Sequence, residues 1–359
     1  MEVSRRQVLG FRVRAQQLDR RSGSLDDTAV LDLGVQDTGV DGAPWALAIR
    51  GVRDPPEGEL ATAWTVRGAP HVYRRADLPA VAAATAPLSD ADAGKRIFDA
   101  AKPLKAAGIP NLVALDTVAD AMRSIVTAPM GKGEMSGRLT AALDPPYLRF
   151  CVPCDAIHVH EMPFRLAALR AGIELRPGTS PPVLEPIPGF APATTVPQRL
   201  DVVRAYLRLL GPATPKLVAG YLDAPVKDVR ARWPEDAVEV TVDGEPRAVL
   251  ADDLDRLAGE PPAVTRLLGP FDLYLQARDR PLLVDDPARA QDLWRTLGRP
   301  GGVLAGGEIV GTWRARKAGV AVTVSVELWS AADRDAVAEQ AERLAAVRGV
   351  ALKSLEITA

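Results

Sequence analysis

Cys151, Cys154, His158 and His160 bring both cysteines of the chain and two of its three histidines into one short stretch. A Cys-x-x-Cys pair followed by His-x-His offers four soft or borderline donors, and zinc takes four such ligands in a tetrahedron. A structural zinc held there would contribute on the order of 10 kcal/mol to folding at neutral pH. The same residues also read as two small core cysteines beside a strand whose histidines, two apart, share one face. The step from Cys154 to His158 is short for a zinc finger and no second Cys-x-x-Cys occurs, so both readings stay open. A thioredoxin-like role lacks its βαβ context.

A second chemical candidate is Gln36, Asp37 and Thr38, at the end of LGVQDT. An amide, a carboxylate and a hydroxyl side by side can orient a water and accept its proton. They also suit a structural role in which Asp and Thr cap the next element and Gln faces solvent. Neither GxGxxG nor GxxxxGK[ST] occurs, so nucleotide-phosphate binding has no support.

These residues sit in a chain of 359 residues, 47% hydrophobic and 25% charged. That composition excludes disorder, collagen-like repeats and a disulfide scaffold, and the length is enough for about two or three domains. With 44 Lys+Arg against 46 Asp+Glu, the net charge is -2, so a polyanionic partner must be met by a local patch. No apolar core follows the basic start, and the apolar stretch Leu78–Leu88 is about half of a bilayer span. A cytoplasmic protein without a membrane partner is expected.

The elements that must position the candidates are clearest between 196 and 253. Apolar spacing predicts a helix over Gln198–Leu210, closed by Gly211–Pro212. Thr214 caps a helix over Pro215–Leu222, a third covers Val226–Trp233, and strands Ala237–Val242 and Arg247–Leu250 flank the turn Asp243–Gly244. Three helices followed by a hairpin make a winged helix. The order is repeated more loosely twice. Ser4 caps Arg5–Leu18, a helix runs from Asp26 or Asp27 to Leu33, Pro44 opens Trp45–Val52, and strands Ala61–Arg67 and His71–Arg74 follow. In the middle come helices Val113–Val126 and Lys132–Leu143, a strand pair in Tyr147–Val159 and a helix Glu161–Ala171. After about residue 262 hairpin-linked strands dominate, with Val320–Leu328 alternating strongly. The fold class is therefore mainly α with an α+β tail. Proline clusters suggest units at 1–88, 89–195, 196–260 and 261–359, the first three winged-helix-like and the last β-rich.

The stretches LGVQDT, PWALAIRG and RGAPH, with MGKGEMSGRLT, HVHEMPFRLAALRAGIEL, YLRLLGPATPKLVAGYL, LLGPFDLYLQARDR and IVGTWR, resemble the winged-helix DNA glycosylases of the azinomycin-resistance (AlkZ/YcaQ-like) family. The resemblance implies three tandem winged helices and a C-terminal β-rich domain around duplex DNA, and a monofunctional enzyme that excises alkylated purines without a catalytic cofactor. It also implies that a Gln-x-Gln or Gln-x-Asp pair handles the attacking water. Here Gln36 is present, but Thr38 stands where the family has Gln or Asp; a threonine hydroxyl can bond a water yet cannot serve as its base near neutral pH. Asp37 is one residue away. Arg67 and His71 match the family's Arg-Gly-x-x-His and would touch DNA, and Arg5, Arg6, Arg12, Lys216, Lys227 and Arg230 would contact phosphates of double-stranded DNA. The alternatives are a catalytically inactive DNA-binding module of the same family, marked by Thr38, and a zinc-stabilised protein-interaction protein. A monomer is expected.

Overall fold

Ser4 fixes where the first helix begins. Its side chain accepts from the Gln7 amide while the Gln7 side chain accepts from the Ser4 amide, a capping box that satisfies two otherwise orphaned donors. The helix, Arg5–Ala15, buries Val8, Leu9, Phe11 and Val13. The computed structural model describes residues 1–358, and the chain forms two compact units, each assembled from separated stretches.

The first unit comprises Met1–Pro55, Arg204–Val218 and the chain from Pro234 onward. Two sheets organise it. In the smaller, Glu2–Val3 runs parallel to Ala237–Val242, which pairs antiparallel with Glu245–Leu250. Asp243 and Gly244 both have positive φ, 48° and 81°, as a tight hairpin turn between right-twisted strands requires. The larger sheet has the order Thr265–Leu268, Gly301–Ala305, Glu308–Ala318, Ala321–Leu328, Ala351–Thr358. Its first four strands are antiparallel; the last lies parallel to its neighbour because the helix Arg334–Val347 carries the chain back.

Polar groups inside this unit are paired with care. Arg12 is fully buried and donates from both terminal nitrogens to Asp279, at 3.0 and 2.7 Å, and from Nε to the Gly211 carbonyl. Burial opposes the Asp279 charge, yet Arg12 and Arg247 outweigh it and hold the carboxyl below its ordinary range. Arg50, also buried, donates to both oxygens of Asp272 at 2.7 and 2.8 Å, and to the carbonyls of Gln16 and Ala46.

The second unit comprises Pro56–Val203 and Ala219–Trp233. Its strands follow the order Pro70–Arg74, Leu60–Trp64, Ile173–Leu175, Val183–Pro186, Met130–Gly131, all antiparallel. The helix Asn111–Ile125 turns Ala114, Leu115, Val118, Ala119 and Met122 into a core shared with Met135, Leu139, Phe164 and Ala167. A separate two-stranded hairpin, Leu148–Cys151 with Ala156–Val159, completes it.

The expected α and β content is present, as an α+β fold with several sheets. Local departures have local causes. The expected helix from Asp26 to Leu33 shrinks to a single 3₁₀ turn, Ala29–Asp32, because Arg20 and Gln17 claim the Asp27 carbonyl and Gln17 also accepts from the Ala29 amide. Short helices for which no helix was expected form at Leu78–Ala84, Asp90–Arg96 and Ala101–Ala106. No helix among the described residues is long and apolar enough to cross a membrane.

Truncating one partner of a buried, hydrogen-bonded ion pair strands the other charge. Asp272→Ala should therefore destabilise the protein by about 3–5 kcal/mol in denaturant unfolding, whereas Arg50→Met combined with Asp272→Leu should recover most of the loss. Additive losses in the double variant would show that the two side chains are not coupled.

Candidate functional site

Gly34, at φ 89°, turns the chain from the 3₁₀ segment into the short strand Val35–Gln36. From there to the helix Gly42–Ala48 the backbone is extended or turned rather than helical, and alternation decides which side chains meet. Gln36 Nε2 donates to Thr38 Oγ1 at 3.0 Å, so the amide and the hydroxyl form one pair. Asp37 accepts from the Ala43 amide at 2.9 Å through Oδ1 and so satisfies an orphan donor in the first turn of the next helix. Asp37, expected to share in handling the water, thus has one carboxylate oxygen engaged by the helix start.

Gln36 and Thr38 open onto a cavity of about 460 Å³ within the first unit, a size usual for small-molecule sites. Its walls are aromatic. Trp45, Phe271 and Trp313 line it, and two indoles are anchored on adjacent residues of one strand: Trp45 Nε1 donates to the Leu267 carbonyl at 2.6 Å and Trp313 Nε1 to the Leu268 carbonyl at 2.8 Å. Gly301 makes the second contact possible, because a Cβ there would lie 2.2 Å from Trp313 Nε1 and 2.4 Å from the Leu268 oxygen.

The lining also carries charge. Arg299, Arg314 and Arg348 stand with Asp41 and the buried Asp272. Asp41 immediately precedes the helix, in the left-handed region at φ 58°, and its Oδ2 accepts from Arg348 Nε at 2.7 Å. The Gly42 backbone packs on Gln36, where an added Cβ would lie 3.1 Å from the Gln36 carbonyl oxygen, and Asp41 lines the same cavity as Gln36 and Thr38. Spacing could not have singled out Asp41: its partner Arg348, with Phe271 and Trp313 of the aromatic walls, comes from the other end of the chain. The only local signal was a second carboxylate in GVDGAPW.

The residues expected to meet DNA fall into two groups. Arg5 pairs with Glu308 at 2.6 Å and Arg6 with Glu260 at 2.6 Å, while Arg12 is buried on Asp279 and cannot reach a phosphate. Lys216, Lys227 and Arg230 are exposed. In the second unit, Arg67 holds a left-handed backbone at φ 57°, stacks its guanidinium 4.5 Å from the centre of the Tyr221 ring and donates to the Tyr221 carbonyl. His71 is not at the surface. It is fully buried, with Nδ1 2.9 Å from the Ala69 carbonyl and 3.1 Å from Thr65 Oγ1, and Thr65 in turn reaches the Tyr73 hydroxyl at 2.8 Å. Burial, reinforced by the Arg67 charge, depresses its pKa to about 3.

Cys151, Cys154 and His158 come together on the hairpin, their donor atoms all within 4.8 Å of one another. His160 does not join them. It is buried at the start of the helix Glu161–Ala168, with Nδ1 3.6 Å from Asp99, so three of the four expected donors come together.

A sequence model described as DNA glycosylase AlkZ-like matches residues 33–347. Among solved structures, the chain is similar to Streptomyces sahachiroi DNA glycosylase AlkZ, with a TM-score of 0.75 and 22% identity over 100% of both chains. No curated protein matches.

The buried histidine has a pH signature. Its folded pKa of about 3 lies below the unfolded value of 6.5, so the unfolded chain takes up a proton first and stability falls as pH drops below 6.5. Between pH 6.5 and 5, above the carboxylate range, His71→Gln should remove about 2 kcal/mol of that fall in denaturant midpoints. An unchanged slope would mean that His71 is protonated in the native state.

Proposed function

The chain belongs to the AlkZ-like family of DNA glycosylases, and from that premise we propose that it hydrolyses the N-glycosidic bond of alkylated purines in double-stranded DNA. The observation that carries the reading is the meeting of Gln36 and Thr38 on the wall of an aromatic cavity that also holds the Asp41 carboxylate. An N7- or N3-alkylated purine already bears positive charge and leaves readily. What remains is to stabilise a cationic, oxocarbenium-like sugar and to present water to it.

The residues divide that work. The Gln36 amide and Thr38 hydroxyl hold the water; neither is a base. Asp41 supplies the missing charge. Arg348 bonds its Oδ2 and fixes the carboxylate, whose negative charge opposes the developing sugar cation and whose lone pairs receive the proton of the attacking water. The bond from sugar to purine breaks with its electron pair going to the base. A flipped purine would lie against Trp45, Phe271 and Trp313, whose π-faces suit a planar and cationic ring.

The helix–helix–helix–hairpin order over Val202–Leu210, Pro215–Leu222, Val226–Arg230 and Ala237–Leu250 supports the winged-helix reading of that segment. Arg67, Lys216, Lys227 and Arg230 are the phosphate contacts we propose, acting on a monomer. Thr38 favours one rival, a DNA-binding module that has lost catalysis.

Incubation of excess protein with duplex containing 7-methylguanine should yield alkali-labile abasic sites. Gln36→Ala and Asp41→Asn should each slow single-turnover excision by about 100-fold or more, while Asp37→Asn, which touches only the helix start, should stay within a few-fold of the native rate. Salt-dependent duplex binding without excision of any alkylpurine would select the inactive module instead.

A further inference from the structure

The hairpin Leu148–Cys151/Ala156–Val159 lies in the second unit and contributes nothing to the cavity lined by Gln36. Two strands alone are marginal in water, and this pair exposes Phe150, Val152 and Ile157. Something other than a large apolar core must fix its tip.

The backbone of that tip is built to converge two sulfurs. Val152–Cys154 forms a single 3₁₀ turn, and Asp155 follows in the left-handed region at φ 47°, which reverses the chain at once into Ala156. Cys151 is thereby paired with Ala156 across the strands, and Cys154 is folded back over it. His158 sits opposite Arg149 on the returning strand, which brings its ring to the same point.

The histidine is also oriented. Its Nδ1 lies 2.8 Å from the Val159 carbonyl, which can only accept; the ring therefore donates from Nδ1 and keeps the Nε2 lone pair for another partner. That is the arrangement by which a metal-binding imidazole is held in one tautomer by a backbone carbonyl. With the ring held that way, the two sulfurs and the imidazole present their donor atoms within 4.8 Å of one another.

We propose that Cys151, Cys154 and His158 form a binding site for a thiophilic divalent cation, zinc by preference, with two thiolates and one imidazole as protein ligands and an exchangeable ligand completing the tetrahedron. Soft sulfur with one imidazole suits zinc over magnesium or calcium, which take oxygen. Binding displaces the thiol protons and clamps the turn, joining the two strands at their open end. His160 stays outside the site, buried against Asp99.

The test uses the full chain, purified reduced and without chelator, with zinc determined by elemental analysis and a cobalt-exchanged sample examined by absorption spectroscopy. About one zinc per chain, thiolate-to-cobalt charge transfer in the near ultraviolet and strong visible bands of tetrahedral cobalt are expected. Cys151→Ser, Cys154→Ser and His158→Ala should each lose the metal; His160→Ala should retain it and its cobalt spectrum. Substoichiometric zinc together with no cobalt bands in wild-type protein whose two thiols titrate as free would overturn the proposal, independently of how any variant folds. Loss of metal in His160→Ala as complete as in His158→Ala would overturn the three-ligand assignment.

Discussion

The bidentate pair between Arg50 and Asp272 is the constraint on which the rest of the cavity depends. Arg50 follows the helix that starts beside Asp41, and Asp272 stands just after the first strand of the larger sheet. Asp272 also accepts from the Tyr274 amide, starting the turn Leu273–Gln276, and lines the cavity itself. One buried carboxylate thus ties the N-terminal loop to the C-terminal sheet. With that register set, Trp45 and Trp313 reach adjacent carbonyls, at Leu267 and Leu268, and both line the cavity. The pair costs desolvation, which its full set of hydrogen bonds offsets; what it gives in return is position.

Several arginines of the first unit pair with carboxylates, from the surface pair Arg6–Glu260 to the buried pair Arg12–Asp279. Arg5, Arg6, Arg12, Arg204 and Arg208 meet Glu308, Glu260, Asp279, Asp236 and Asp32. Asp41 has such a partner as well, since Arg348 Nε donates to its Oδ2.

Where the sequence was legible, the signals were short-range. Ser4 and the pair Asp243–Gly244 announce a helix start and a hairpin through bonds among near neighbours, and both form as read. Gln36 and Thr38 were legible as a pair because a two-residue step on extended backbone puts them on one side. The contact of Asp37 with the next helix was not legible, because the Ala43 amide it accepts from is set by the loop between them. Arg12 and His71 look like surface cations in sequence; only the carboxylate of Asp279 and the walls around Thr65 and Tyr73, contributed by other strands and turns, reveal them as buried. The aromatic walls could not be read at all, since Trp45, Phe271 and Trp313 are joined by tertiary packing and by the space that Gly301 leaves.

The central claim is that this cavity is shaped for a cationic sugar held between a water-orienting pair and a fixed carboxylate. Equilibrium binding of a duplex carrying a cationic pyrrolidine in place of one deoxyribose tests it directly, by comparison with a duplex carrying a neutral tetrahydrofuran abasic analogue. The account predicts at least about 100-fold tighter binding of the cationic duplex, with the preference lost in Asp41→Asn. Equal affinity for the two duplexes, or a preference that survives in Asp41→Asn, would contradict it.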